Sequence, residues 1–379
     1  MEHLKETSQS LTRTPLFPLA QELKARFTCF GTWEMPVQFG SITKEHEAVR
    51  NHAGMFDISH MGKFVFQGKD LVNQLQRLVP SDFSRLQPGQ SQYSVLLNEN
   101  GGIIDDIIFY YQGTNNHGDQ EGVLIVNAAT TAKDRTWILK YIGTSSKIKF
   151  QDISQDKVLI AIQGPKATGI LQKFVSADLN SIKAFGHLEA SIFNQPAFLA
   201  RTGYTGEDGF EVMMNPEAGV ELWQKLLSVG VTPCGLGARD ILRLEASMAL
   251  YGQDINDSTT PFEAGLGWLI HLDTKGDFIG RAVLEQQKSQ GITHRLVGLQ
   301  MQGRSIARHG YPVLSSGKVV GKITSGNISP TLGYPVALAY VPKDIAQVGQ
   351  QLEVEIRSKY YPAAVVKRPF YRSTSRLTS

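Results

Sequence analysis

Three glycines and three acidic side chains lie within eleven residues in segment 201–211, RTGYTGEDGFE. Glycine tolerates positive φ and lets a backbone approach a ligand closely. An ordinary hairpin needs only one or two such glycines. This composition suits a loop that offers a carboxylate to a planar, donor-rich ligand, such as a pterin, whose ring N–H and amino group can bind a carboxylate through paired hydrogen bonds. A solvated acidic hairpin has the same composition, so the segment alone leaves both interpretations open.

A second group of carboxylates, Asp105 and Asp106, lies in the apolar segment 101–108, GGIIDDII. Side chains alternate between the two faces of a strand, so Asp105 shares a face with Ile107 and Asp106 points the other way. Only one of them can face a given cavity, and the other must be exposed or paired, because an unpaired buried carboxylate is costly. Alternation does not say which one faces a cavity. An Asp pair that closes a Gly-Gly turn is the structural alternative.

Segment 231–240, VTPCGLGARD, runs from a predicted strand into a predicted helix. It lacks the third glycine of a dinucleotide-binding fingerprint, which argues against that fold. Arg239 falls in the first helical turn beside Asp240. It is a candidate ligand contact, and an ion-pair network with Asp240 and Glu245 is the alternative.

Three further side chains are weaker candidates. Tyr93 and Asn127 lie at predicted strand ends, where a polar residue more often serves a turn. Trp268 could stack on an aromatic ligand, although a core role is commoner for tryptophan. Ser59 and His60 face opposite ways on a strand and no GxSxG motif is present, which argues against a hydrolase.

The bulk composition indicates a globular protein with sizeable cores. The 379 residues include 41% hydrophobic and 19% charged residues, and the formal net charge of +3 gives no indication of nucleic-acid binding. The two cysteines exclude a disulfide scaffold and a thiolate zinc site. No apolar run reaches the roughly 18 residues of a membrane span. The first residues do not resemble a targeting peptide, so a cytoplasmic protein with a flexible tail at 1–12 is expected.

Periodicity predicts an α+β fold. Alternating apolar runs predict strands, and helical spacing predicts helices over 69–78, 131–142, 217–227 and 238–250. Segment 113–122 reads as an exposed hairpin tip. From about residue 293 the chain shows strands separated by glycine-rich turns, which predicts a C-terminal all-β barrel or sandwich.

The ordered segments resemble the aminomethyltransferase of the glycine cleavage system, the T-protein family, over nearly the whole chain. The segments that carry the resemblance are 54–61 (GMFDISHM), 93–106 (YSVLLNENGGIIDD), 126–130 (VNAAT), 161–165 (AIQGP), 201–211, 235–245 (GLGARDILRLE), 250–254 (LYGQD), 277–281 (DFIGR) and 324–334 (TSGNISPTLGY).

The resemblance implies a three-domain cloverleaf around a central folate pocket. The implied domains are 13–60 plus 140–285, an inserted α+β domain at 61–139, and a C-terminal barrel at 286–379. It also implies that the methylene carbon passes from the lipoylated H-protein to tetrahydrofolate, with neither metal nor pyridoxal phosphate. A membrane or nucleic acid is not an expected partner.

The same resemblance assigns roles to individual residues. It places the key aspartate on Asp105 and the pterin-holding glutamate on Glu211. Folate contacts fall on the following side chains: Arg239, Tyr204, Asn127, Tyr93 and Trp268. The C-terminal segment 367–372 matches the family, but its ligand-binding residue is not aligned.

Two relatives of the same fold are the alternatives. Iron–sulfur assembly factors carry a cysteine signature where this chain has LYGQ at 250–253, so the match is poor. Sarcosine and dimethylglycine dehydrogenases need a flavoprotein, and this chain has no dinucleotide fingerprint.

Overall fold

The architecture consists of a six-stranded sheet, a five-stranded sheet, a short hairpin and a closed barrel. A computed structural model describes residues 11–142 and 147–373. The helices are α1 (Phe17–Glu22), α2 (Ile42–Asn51), α3 (Leu71–Gln76), α4 (Thr131–Ile142), α5 (Ala167–Leu171), α6 (Pro216–Ser228), α7 (Leu236–Glu245) and α8 (Arg281–Gln290). The strands are β1 (Arg26–Phe30), β2 (Trp33–Gln38), β3 (Gly54–Asp57), β4 (Gly62–Gly68), β5 (Gln90–Leu97), β6 (Ile103–Thr114), β7 (Gln120–Val126), β8 (Ile148–Asp152), β9 (Val158–Gln163), β10 (His187–Ile192), β11 (Gln195–Ala200), β12 (Gly209–Met214), β13 (Thr232–Pro233), β14 (His294–Met301), β15 (Pro312–Ser315), β16 (Lys318–Ile328), β17 (Pro335–Pro342), β18 (Gln351–Ile356) and β19 (Lys359–Val366).

The six-stranded sheet has the order β10-β11-β12-β9-β3-β13, and β13 runs parallel to β3. Strands β9 and β12 are buried along their whole length, as expected of central strands covered on both faces. One face packs against α5 and α6, where Trp223 and Leu222 are buried. The sheet therefore supplies a rigid support for the segment that follows β11.

The five-stranded sheet is antiparallel, in the order β5-β6-β7-β4-β8, and its strands fall between β3 and β9 in the chain. It is thus inserted into the first sheet. Its outer face packs on α3 and α4 through residues such as Phe64, Leu75 and Ile138. Its other face meets the six-stranded sheet, and the rings of Tyr110 and Phe198 lie edge to face with centroids 5.3 Å apart.

The barrel closes in the order β14-β17-β16-β15-β18-β19, with β14 also pairing with β19. Alternate side chains fill its interior, among them Leu299, Ile323 and Val354. Between the sheets and the barrel lies the segment from 246 to 280, whose apolar side chains pack with Val95 and Leu97 of β5.

Buried charges join helix α7 to its surroundings. Glu245 accepts hydrogen bonds from Arg50 Nη2 at 2.6 Å and from Thr331 Oγ1 at 3.0 Å. Arg243 donates to Asp254 at 2.5 Å and to Ser325 Oγ at 2.8 Å. Because unpaired buried charges are costly, these contacts fix the barrel against α7.

The predicted α+β class and the C-terminal barrel are confirmed. The predicted helix at 131–142 coincides with α4, whereas the helix predicted over 238–250 spans Leu236–Glu245 and is followed by Ser247 at positive φ. The division into domains at the predicted boundaries stays a prediction. Of the predicted tail at 1–12, residues 1–10 lie outside the described part of the chain. None of the described helices is long and apolar enough to cross a bilayer.

The turn before Asp105 depends on a close backbone approach at Gly102. A Cβ atom there would lie 1.9 Å from the carbonyl oxygen of Asp257. We expect Gly102→Ala to lower the free energy of unfolding by about 2 kcal/mol or more, because either backbone segment must move. Chemical denaturation monitored by circular dichroism measures this change.

The matched control is Gly169→Ala in α5, where no atom lies within 4 Å of an added Cβ. Its stability should stay constant or rise by up to about 1 kcal/mol, since alanine favours a helix. Equal unfolding curves for the two variants would contradict the proposed crowding at Gly102.

Candidate functional site

A cavity of about 880 Å³ lies where the two sheets, α7, the segment after α7 and the barrel meet. Of the seven side chains assigned by resemblance, six line it: Tyr93, Asn127, Tyr204, Glu211, Arg239 and Trp268. They come from positions spread over more than 170 residues of sequence, so the fold brings together what the chain separates. Asp105 is not among the lining residues.

The cavity-facing carboxylate of the aspartate pair is that of Asp106. Asp106 lines the cavity, whereas Asp105 is fully buried on the opposite face of β6, toward α4. Asp105, expected to be the key aspartate, therefore does not line the cavity, and its role stays a prediction. The physical reason is strand alternation: Asp105 shares the face of Ile107, which packs toward α3 and α4, and Asp106 points to the other face.

Asn127 links the two aspartates at the end of β7. Its backbone N–H donates to Asp105 Oδ2 at 2.9 Å, and its side-chain Nδ2 donates to Asp105 Oδ1 at 2.9 Å and to Asp106 Oδ1 at 2.7 Å. Tyr93 donates its hydroxyl to Asp106 Oδ2 at 3.2 Å. Asp106 is therefore held on both oxygens by protein donors.

The surroundings of Asp106 favour its protonated, neutral form more strongly than water would. Burial, and then the negative charge of Asp105, raise the pKa of Asp106 to about 7. Hydrogen bonds from Asn127 and Tyr93 act in the opposite direction and are outweighed. A carboxyl group with this pKa can change protonation near neutral pH, which suits acid–base work.

Glu211 places a second carboxylate in the same cavity. It lies on β12 opposite Ala161 of β9, so the centre of the six-stranded sheet fixes its backbone. Thr202 Oγ1 donates to Glu211 Oε2 at 2.6 Å, and Thr202 in turn lies 3.1 Å from the Tyr110 hydroxyl. The Tyr110 hydroxyl also interacts with the Glu211 carboxylate, and Glu211 lines the cavity.

Arg239 and Tyr204 form the wall beside Glu211. The Arg239 guanidinium lies 4.8 Å from the centre of the Tyr204 ring, and the Tyr204 hydroxyl donates to the carbonyl oxygen of Ala249. Burial lowers the pKa of Arg239, and the charge of Glu211 partly restores it. Nη1 of Arg239 is buried and has no hydrogen-bond partner within the described ranges. It is therefore Arg243, not Arg239, that forms the ion pair with Asp240, at 2.7 Å.

Trp268 and Tyr93 provide a flat aromatic surface at the cavity. Their ring centroids lie 6.1 Å apart with an interplanar angle of 21°. Trp268 is 61% exposed, so it is a rim residue and not a core tryptophan. An aromatic ligand can stack here without displacing any core side chain.

Sequence reasoning missed several cavity residues. His60 lines the cavity with Nδ1 buried and unpartnered in the described structure, and burial lowers the pKa of His60 to about 3, helped by the charges of Arg239 and Lys63. From the barrel and the chain after it come cationic side chains: Arg295, Lys367, Arg368 and Arg372. The match of segment 367–372 to the family was the available signal for the last three.

The Ser59 side chain is bound to the backbone of a neighbouring strand. Ser59 Oγ accepts a hydrogen bond from Leu159 N at 3.0 Å and donates to Leu159 O at 3.4 Å, so it serves the backbone. Across residues 11–142 and 147–373, no group of three or more His, Cys, Asp or Glu side chains is arranged to hold a metal ion.

Comparison with known proteins identifies two family regions. The GCVT N-terminal domain matches residues 16–274, and the glycine cleavage T-protein C-terminal barrel domain matches residues 294–372. The chain is 70% identical over 376 residues to an aminomethyltransferase of Nostoc sp. (strain PCC 7120), covering 99% of this chain and all of the relative. It is 61% identical over 361 residues to one of Synechocystis sp. (strain PCC 6803), covering 95% of this chain and 96% of the relative.

A solved structure shows the same architecture. The crystal structure of the glycine cleavage system aminomethyltransferase T from Bartonella henselae superposes with a TM-score of 0.89 at 34% identity, covering 96% of this chain and 98% of that one. Its agreement extends over both family regions. The chain therefore belongs to the aminomethyltransferase family of the glycine cleavage system, the T-proteins.

Proposed function

We propose that the cavity binds tetrahydrofolate and that the carboxylate of Asp106 assists transfer of a methylene carbon onto it. The observation that carries this proposal is the presence of two carboxylates, the half-buried Asp106 and the buried Glu211, on the walls of one cavity. Glu211 lines the cavity and has a fixed backbone, which suits paired hydrogen bonds to a pterin. Trp268 and Tyr93 offer stacking to an aromatic ligand.

The carbon donor would be the aminomethylated lipoyl arm of the H-protein. N5 and N10 of tetrahydrofolate form two bonds to the donor carbon as its bonds to sulfur and nitrogen break. The two protons lost from N5 and N10 are matched by one gained at sulfur and one gained by the leaving ammonia. The products are 5,10-methylenetetrahydrofolate, ammonia and dihydrolipoyl H-protein.

Asp106 would contribute in two ways. Its negative charge stabilises the positive charge that develops on the aminomethyl carbon, and with a pKa of about 7 it can accept the N5 proton. Asn127 and Tyr93 hold this carboxylate in one orientation before the substrate arrives. Such preorganisation lowers the barrier because no reorganisation is needed in the transition state.

The test of the proposed reaction is release of ammonia from aminomethylated H-protein. We expect fast release only when tetrahydrofolate is present, with methylenetetrahydrofolate formed in equal amount. A protein that binds folate but transfers no carbon would bind tetrahydrofolate and leave the release rate unchanged. The H-protein should dock transiently, since its arm must enter and leave.

The variant Asp106→Asn should lower turnover by about 100-fold or more, the size of effect typical of a lost catalytic carboxylate. Tetrahydrofolate affinity, measured by calorimetry, should fall much less, because Glu211 and the aromatic wall remain. Asp344→Asn, at an exposed barrel position, is the matched control. Turnover of Asp106→Asn equal to that of the control would remove Asp106 from the mechanism.

The pH dependence of turnover is a second test of the role of Asp106. Because the ionised form is the active one, kcat should rise as pH passes through about 7, and kcat of Asp106→Asn should not show this rise.

The contribution of Asp106 to stability changes with pH in the opposite direction. The folded pKa lies above the unfolded value of about 3.9, so the contribution of Asp106 to stability is largest at low pH and is lost as pH rises toward 7.

Glu211→Gln keeps the size of the side chain and removes its charge. We expect tetrahydrofolate to bind about 10- to 100-fold more weakly, since a charge-assisted hydrogen bond contributes about 1.5–3 kcal/mol. Calorimetric titration measures this, with Glu217→Gln on the exposed side of α6 as the control. Unchanged affinity would mean that the pterin binds elsewhere.

A further inference from the structure

Two carboxyl groups meet in the core beneath the cavity. Asp105 on β6 and Asp134 in the first turn of α4 are both fully buried, and they are in contact. Asp105 receives two hydrogen bonds from Asn127. The Thr130 hydroxyl interacts with Asp134, but it donates to the carbonyl oxygen of Asn127 at 3.1 Å, and neither oxygen of Asp134 has a well-aligned hydrogen-bond donor in the described chain. Two ionised carboxylates in this arrangement would repel each other without water to screen them.

The charged and titratable groups around this pair do not supply a buried counter-ion. Lys133 precedes Asp134 on α4, but its ammonium is at the surface, where it donates to the Tyr251 hydroxyl at 2.6 Å and to Asp257 at 3.1 Å. Tyr251 interacts with both carboxyl groups of the pair, Tyr93 with Asp105 and Asp106, and Tyr204 with Asp106. All three tyrosines are neutral near pH 7, because burial raises the pKa of each hydroxyl.

One proton shared between Asp105 and Asp134 removes the repulsion between them. The hydrogen-bond donors around each carboxyl group indicate which of the two carries this proton. Asp105 is satisfied as an ionised acceptor, since Asn127 donates to both of its oxygens. Asp134 has no such donors, so it gains most from becoming a neutral acid that donates to Asp105. The helix N-terminus would favour a negative charge on Asp134, but burial and the charge of Asp105 outweigh it and raise its pKa.

The consequence reaches the cavity through Asn127. Because both Asp105 oxygens bind Asn127, the orientation of Asp105 sets the orientation of the Asn127 amide. The same Nδ2 group donates to Asp106 at 2.7 Å. A chain of hydrogen bonds thus runs from Asp134 through Asp105 and Asn127 to the carboxylate in the cavity.

We propose that Asp134 is a positioning residue that stays protonated and donates a hydrogen bond to Asp105. This hydrogen bond holds Asn127 and Asp106 in the catalytic arrangement. The positioning role depends on the proposed function of Asp106. The shared proton does not, and it can be tested without turnover.

The kinetic experiment compares Asp134→Asn with Asp134→Leu. An asparagine amide can donate to Asp105 without adding charge, so kcat should stay within roughly threefold of the parent enzyme. Leucine cannot donate, so kcat should fall about tenfold or more while KM for tetrahydrofolate changes by less than about threefold. Equal loss of kcat in both variants, or loss in neither, would overturn the positioning role.

The spectroscopic experiment uses infrared difference spectra at neutral pH in the Asp106→Asn background, where Asp106 itself contributes no carboxyl band. Adding Asp134→Asn should remove one C=O stretching band of a protonated carboxylic acid, a band that shifts in heavy water. Persistence of the whole band would overturn the shared proton. This measurement remains decisive if Asp134→Leu fails to fold, and it does not require that the enzyme release ammonia.

Discussion

The buried charges of α7 are the constraint on which the remaining architecture depends. Glu245 is fully buried and reaches α2 through Arg50 and the barrel through Thr331. Arg243, two residues earlier, reaches Asp254 and Ser325. Removing Asp254 would take away the buried carboxylate that pairs with Arg243, at a cost of about 3–5 kcal/mol. The sheet domain and the barrel therefore keep one relative position.

This constraint also shapes the cavity. Arg239 lies on the same helix as Arg243 and Glu245, one turn earlier, so fixing α7 fixes the wall that faces Glu211. The opposite wall comes from β6, where Asp106 is held by Asn127 and Tyr93. Because each wall is rigid for a separate reason, the two carboxylates can face one ligand without a conformational change in either sheet.

Much of this could be predicted from the sequence, and what could not has a physical cause. The barrel and α4 follow from local patterns, and six pocket residues follow from family motifs. Strand alternation separates Asp105 from Asp106 but cannot say which face meets a cavity, because that depends on the packing of α4 and the other sheet. Asp134 carried no signal, since its contact with Asp105 arises only from tertiary structure.

The stacked pair at the cavity rim has an optical consequence. Trp33 and Trp223 are buried, Trp137 is half-buried and Trp268 is 61% exposed, so the indole of Trp268 meets the most water. Indole fluorescence moves to shorter wavelength when water is replaced by an aromatic neighbour, and stacking quenches it. The emission of Trp268 thus reports, without an added label, whether an aromatic ring occupies this part of the cavity.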